Sequence, residues 1–144
     1  MTSAPSRSDL SAHPIQTLSP GGWSKAAVRL VDLGGRRAVL KDFAGKAWPV
    51  RLIGRLQIRR ELRAYERLNA VDGVPACYGR VDPLGFLMEE IPGRHLPRFR
   101  LRARAERVGL LAQLRRVFDA IHAVGVVHND ARGQDNVLVS DSGR

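Results

Sequence analysis

Apolar and polar residues alternate on both sides of a Gly-Gly pair in residues 26–43, AAVRLVDLGGRRAVLKDF. A period of two predicts strands, and Gly34-Gly35 can take the positive φ angles of a tight hairpin turn. Val28 and Leu30, with Asp32, line one side of the first arm. Ala38, Leu40 and Asp42 line the second, and Lys41 falls near its end. From residue 51 to 70 the period changes. Leu52, Leu56, Leu62, Tyr65 and Leu68 recur at helical spacing with charges between them, which predicts an amphipathic helix. Gly73 and Pro75 break it. The turn DPLG then joins two short apolar segments, the second being FLMEE, and the Pro/Gly-rich IPGRHLPRFR connects onward. Residues 104–124 predict the longest helix, with Leu110, Leu114, Val117 and Ile121 as its apolar stripe and Gly125 as its stop. Short strands are expected at 126–127 and 137–139, flanking a polar loop. The order is hairpin, helix, hairpin, connector, long helix, loop and strand, an α+β plan with the sheet first.

Composition narrows the class. With 144 residues, 44% of them hydrophobic, the chain is long enough for one domain with a core. Residues 1–14, rich in Ser, Pro and Ala, are expected to be a flexible tail. The net charge is +10, and nearly all the positive charge is arginine, the lysines being Lys25, Lys41 and Lys46. That balance suits phosphorylated ligands, nucleic acid or an anionic membrane surface. Nucleic acid is the disfavoured partner, because an arginine bias also arises from GC-rich coding. The Arg-rich run from Arg98 to Arg107 reads as a solvated helix entry or as a dock for an acidic substrate or anionic headgroup.

Cys77 is alone, which excludes an internal disulfide and a multi-cysteine zinc site, and it is expected to be a small buried hydrophobe. His13, His95 and His122 show no ligand spacing, and His122 is expected to pack on the long helix. No apolar run approaches the roughly 20 residues that span a bilayer, and the N-terminus has no secretory apolar region. The expected location is cytoplasmic, with a peripheral inner-membrane association as the variant.

The chemistry concentrates in residues 127–139, VHNDARGQDNVLV. An Asp such as Asp130 can accept a hydroxyl proton or orient the hydroxyl. An Asn such as Asn136 can hold magnesium through its side-chain oxygen. Phosphoryl transfer needs both tasks done close together, because its catalysis is mostly positioning and charge neutralisation. Taken singly, Asp130 reads as a loop or capping residue, His128 as a structural brace, Lys41 as a strand-end lysine and Glu61 as part of a solvated helix face.

Taken in order, these segments resemble the protein-kinase-like superfamily. VVHNDARGQDNVLV is similar to the catalytic loop, AVLK (Ala38 to Lys41) to the Val-Ala-Ile-Lys strand, RRELRAYERL to the αC helix and FLMEEIPG to the hinge. The resemblance implies an N-lobe over residues 15–91, with an antiparallel sheet and an αC-type helix, and a partial helical C-lobe over 92–144. It implies ATP and Mg²⁺ as cofactors and a hydroxyl acceptor: a protein Ser/Thr, a lipopolysaccharide sugar or a small molecule. Lys41 would hold the ATP phosphates and Glu61, with Glu66 as its rival, would orient Lys41. Asp130 would act on the acceptor. Gly21, Gly22 and Val28 would cover the nucleotide, Met88 would take the gatekeeper position, and the backbone from Glu89 to Ile91 would meet adenine. Asn136, or Asp135 beside it, would bind the metal.

Within the superfamily the chain resembles small bacterial RIO-like and lipopolysaccharide-kinase-like proteins, often labelled serine/threonine protein kinases. Asn136 follows Asp130 by six residues rather than the five of eukaryotic protein kinases. Three features depart from the pattern. The glycine-rich loop is reduced to Gly21 and Gly22, with Ser24 and Lys25 beside them and Ala26 where a later glycine is expected. The lysine usual after the catalytic Asp is absent, and Arg132 is the nearest cation. No Asp-Phe-Gly follows Asn136, and Asp141 lies too near it to take that part. The expectation is a chain truncated before that segment and only marginally stable, because the Val-Leu-Val strand would lack a neighbour. The alternative is a catalytically inactive kinase-like binding module.

Overall fold

The computed structural model describes residues 7–11, 14–95, 103–127 and 137–140. These residues fall into two compact units. The first comprises those up to Glu66 together with Pro75–Glu90. The second comprises Arg67–Val74 together with those from Ile91 onward.

In the first unit, helix α1 (Arg7–Ser11) and strands β1 (Pro14–Ser19), β2 (Ala27–Asp32) and β3 (Arg37–Asp42) precede helix α2 (Trp48–Leu68). Strands β4 (Cys77–Asp82) and β5 (Gly85–Glu89) complete an antiparallel sheet in the order β1-β2-β3-β5-β4. The β2–β3 turn follows from Gly34 and Gly35, at φ 69° and 90°, and from the Asp32 carboxylate, which accepts from the Gly35 N–H at 2.7 Å. β3 ends at Asp42, whose carboxylate accepts from the Ala44 N–H at 2.8 Å and turns the chain. α2 opens with Pro49 in its first turn, where a missing N–H costs no hydrogen bond, and the Arg51 N–H reaches the Ala47 carbonyl at 3.0 Å.

The sheet is covered on both faces. Phe43, Val50, Ile58, Leu84 and Phe86 form the core beneath α2, with Leu62, Tyr65, Cys77 and Met88 packed against it. Leu10 of α1, Val31, Ala38, Leu40 and Leu87 form a second cluster on the opposite face. Each fully buried side chain of this kind contributes about 1.5–3 kcal/mol. Arg7 fastens α1 over that second cluster. Its Nη1 donates to both Asp42 carboxylate oxygens at 3.0 Å, and its Nε donates to Asp82. Asp42 is 97% buried, and these bonds, with the Ala44 N–H, compensate its desolvation.

In the second unit, β6 (Gly93–His95) pairs antiparallel with β7 (Leu138–Ser140), and α3 (Arg104–Ala123) lies between them in sequence. Glu106 caps the start of α3 by accepting from the Ala103 N–H at 3.2 Å. At its end Gly125, φ 75°, takes the left-handed cap. Its N–H bonds the His122 carbonyl at 2.9 Å, and the Val126 N–H bonds Ile121 at 3.2 Å, a Schellman pattern. Leu110, Leu114 and Val117 are half-buried and Ile121 is buried.

Several elements differ from the sequence expectation. Arg7–Ser11, within the stretch read as a flexible tail, is helical and buries Leu10. β1 is an added edge strand. β6 forms within the presumed connector, because pairing with β7 satisfies its backbone. Residues 126–127 form no strand. α2 starts earlier than predicted, and its phase is rotated: Leu52 and Leu56 are exposed, while Val50, Gly54 and Ile58 face the core. His122 is exposed, with its ring 6.3 Å from that of Phe118, and Cys77 is only half-buried. Among the described residues, no helix is long and apolar enough to cross a membrane.

Candidate functional site

The antiparallel register sets which side chains share a face. Val28 pairs with Lys41, Leu30 with Val39, Val39 with Met88 and Lys41 with Phe86. Paired residues project to the same side, so Val28, Lys41, Phe86 and Met88 share the face covered by α2. On α2, Glu61 lies in the row of buried positions, and its Oε2 accepts from Lys41 Nζ at 2.6 Å. Both side chains remain about a third exposed, at 31% and 35%. Lys41 Nζ also stands 5.9 Å from the Phe86 ring centroid, within reach of cation–π attraction. The ammonium is therefore fixed in direction yet open to solvent. Glu66 is exposed and makes no such contact.

Tyr65, one turn after Glu61, wedges between helix and sheet, its ring 5.7 Å from that of Phe86. Burial first, then the Glu61 charge, pushes its hydroxyl well above the ordinary tyrosine range. It stays neutral at physiological pH and supports the helix by packing. Its oxygen approaches Met88 Sδ at 4.0 Å. Met88 is half-buried in the same cluster. Burial raises the Cys77 thiol as well, so it is a packing group rather than a nucleophile.

The loop between β1 and β2 carries Gly21 and Gly22. Gly21 adopts φ 66°, and a Cβ there would lie 2.3 Å from the Ala26 carbonyl oxygen. Only glycine fits, and the loop folds back tightly on itself. Lys46, in the β3–α2 connection, holds this loop from below: its Nζ donates to the carbonyls of Pro20 at 3.0 Å, Gly22 at 3.1 Å and Gly21 at 3.4 Å. The role of Lys46 was not foreseen from the sequence. Its only signal was scarcity, as one of three lysines in an arginine-rich chain.

At the end of β5 the Glu89 N–H donates to the Ala76 carbonyl at 2.8 Å, while the Glu89 carboxylate accepts from the Ala76 N–H at 3.0 Å. This reciprocal pair fixes the strand exit. Ile91 follows in irregular backbone, half-buried. His128, Asp130, Arg132, Asp135, Asn136 and Asp141 lie outside the described residues. Among the described residues no cluster of His, Cys, Asp or Glu could hold a metal ion.

A five-stranded antiparallel sheet with a helix packed over a strand lysine, followed by a helical segment, is a protein-kinase-like fold: an N-lobe with part of a C-lobe. Two solved structures of the Mycobacterium tuberculosis PknI kinase domain are similar to this chain, each with a TM-score of 0.62 and 18% identity. One match covers 97% of this chain and 57% of the PknI chain, the other 96% and 60%. The chain thus spans about three fifths of the PknI chains it matches. No protein-family model matches it. No curated protein matches it either.

Proposed function

We propose that this chain carries the nucleotide-binding part of an ATP-dependent phosphotransferase of the protein-kinase type, acting on a hydroxyl acceptor. The observation that carries this reading is the Lys41–Glu61 pair, 2.6 Å apart and still open to solvent. Strand-to-helix fixation of one ammonium suits a phosphate ligand, because a pre-oriented cation loses little freedom on binding. The residues present fit a nucleotide in two further respects. Gly21 and Gly22 form a loop that a Cβ at Gly21 would disrupt, leaving backbone able to approach phosphates closely. Val28 and Met88 offer apolar surface on the same sheet face as Lys41.

Bound ATP supplies the transferable γ-phosphoryl group. Lys41 neutralises and orients the phosphates, and Glu61 keeps Lys41 extended toward them. The Glu89–Ile91 backbone meets the base. From the sequence motif, Asp130 orients the acceptor hydroxyl and takes its proton, Arg132 adds positive charge, and Asn136 with Asp135 supplies magnesium-favouring oxygens. The six-residue step from Asp130 to Asn136 supports the small bacterial RIO-like or lipopolysaccharide-kinase-like type.

The test is a calorimetric titration of the purified chain with ATP and Mg²⁺ beside Lys41→Ala. Saturable binding that Lys41→Ala weakens by about 10–100-fold is the expected result. Equal behaviour of the two proteins overturns the nucleotide assignment and leaves a kinase-like binding module.

A further inference from the structure

The outward face of α2 is not what a solvated helix presents. At 100° per residue, the core-facing row runs through Val50, Gly54, Ile58, Leu62 and Tyr65. The opposite row begins with Trp48, Leu52 and Leu56, which are 77%, 58% and 62% exposed, with Ile53 alongside at 51%. Arg59 and Arg63 continue that row at helical spacing, both exposed. One face therefore has an apolar end and a cationic end. Trp48, Arg51, Leu52 and Arg55 border an open surface depression at the apolar end.

The cations of this face are unmatched. Ion pairs among the described residues use Arg7, Arg29, Arg37, Lys41 and Arg115, and none uses Arg51, Arg55, Arg59, Arg60 or Arg63. The first turn of α2 has no acidic residue. An exposed Trp beside arginines without ion pairs is the pairing of residue types enriched in protein-binding hot spots, and the exposed leucines add apolar area beside them. A second copy of this chain is disfavoured as occupant, because it would oppose two rows of arginine. A membrane surface fits less well. It favours apolar residues along the whole of one helix face with charges on the other, whereas here the one row turns from apolar to cationic after Leu56.

We propose that this face of α2 docks an acidic amphipathic helix of a partner protein. The partner's apolar residues would fill the Trp48–Leu52 depression, and its carboxylates would meet Arg59 and Arg63. From Trp48 to Arg63 the row is about 22 Å long, so the complementary helix needs about 15 residues. The proposal is independent of nucleotide binding, since no ion pair links these side chains to Lys41 or Glu61.

The test uses a labelled 16-residue helical peptide, with Leu and Phe on one half of one face and Glu on the other half, and a twin carrying Lys for Glu. Fluorescence anisotropy with the full chain should show saturable binding of the Glu peptide. Trp48→Ala should weaken it at least about 30-fold, as loss of a hot-spot anchor does. Arg59→Glu/Arg63→Glu should lose the Glu peptide and gain the Lys twin. Thermal melts check that the variants fold, and Leu52→Glu serves if Trp48→Ala does not. No binding of the Glu peptide, or binding indifferent to these substitutions, overturns the proposal. So does Trp48-dependent sedimentation with phosphatidylglycerol vesicles in place of peptide binding, or a Trp48-dependent dimer in ultracentrifugation.

Discussion

Gly54 of α2 rests on the ring of Phe43: a Cβ at Gly54 would lie 2.5 Å from Phe43 Cγ and 2.8 Å from Cδ1. Phe43 is 99% buried, immediately after the strand that carries Lys41. The missing side chain is what lets the helix approach the sheet. Gly54→Ala gains about 1 kcal/mol of helix propensity but overpacks the core by about 1–3 kcal/mol. A net loss in denaturant melts is expected. Adding Phe43→Leu should recover part of it, because neighbouring substitutions are not additive. Simple additivity of the two would disprove the contact.

Lys41 and Glu61 are each about a third exposed, so their pair contributes at most about 1 kcal/mol to folding. Its weight should fall on the ligand. Lys41→Met should raise the Kd for ATP with Mg²⁺ by about 10–100-fold, the range of a lost charged hydrogen bond, with little change in melting temperature. Glu61→Gln should be milder. A large stability loss without a binding defect would make the pair structural.

In the proposed mechanism Asp130 acts on the acceptor and not on the nucleotide. In a form of the protein that shows turnover, Asp130→Ala should therefore lower kcat by about 10²–10⁴-fold while leaving ATP affinity nearly intact. Steady-state kinetics on that variant decide the matter, and unchanged turnover would remove Asp130 from the reaction.

The Asp82 carboxyl is held below the usual aspartate value, chiefly by the hydrogen bond from Arg7, against an opposing effect of burial. A depressed folded value means that the stabilisation is complete above the unfolded value of about 3.9 and is lost as pH falls through the folded one. Melts from pH 7 downward should show wild type more stable than Asp82→Asn by a constant margin to about pH 5, with the margin closing in acid. A margin that persists at acid pH would exclude Asp82 as the titrating partner of α1.

Much of the first unit could be read from the chain because its signals are local. The Gly34-Gly35 turn and the alternation around it specify the β2–β3 hairpin, and Lys41 falls where that hairpin puts it. The phase of α2 could not be read so. Leu52 and Leu56 have the stronger apolar character, yet the core takes Gly54, whose value lies in the space it leaves for Phe43, and Glu61 could be singled out only through the resemblance, because its partner is twenty residues away in sequence. β1 has little alternation and is exposed from Ile15 to Ser19, so only its pairing with β2 defines it. α1 depends on Arg7 meeting Asp42 and Asp82, both distant along the chain.

Lys46 grips three successive carbonyls, those of Pro20, Gly21 and Gly22, and so joins the β3–α2 connection to the glycine loop. The contact uses only carbonyls of the loop, whose Gly21 N–H bonds Ser19 Oγ and whose Lys25 N–H bonds the Gly22 carbonyl, each at 3.3 Å. Lys46→Ala should free the loop and raise the Kd or KM for ATP by about three- to tenfold, since the bonds are largely solvent-exposed and each contributes modestly. If Lys46 acts only through the loop, kcat in a turnover-competent form should stay nearly constant, because Lys46 is not among the groups proposed for chemistry. Hydrogen exchange should then quicken at residues 20–25 and not along β3. An equal fall in kcat and kcat/KM would instead place Lys46 on the phosphates themselves.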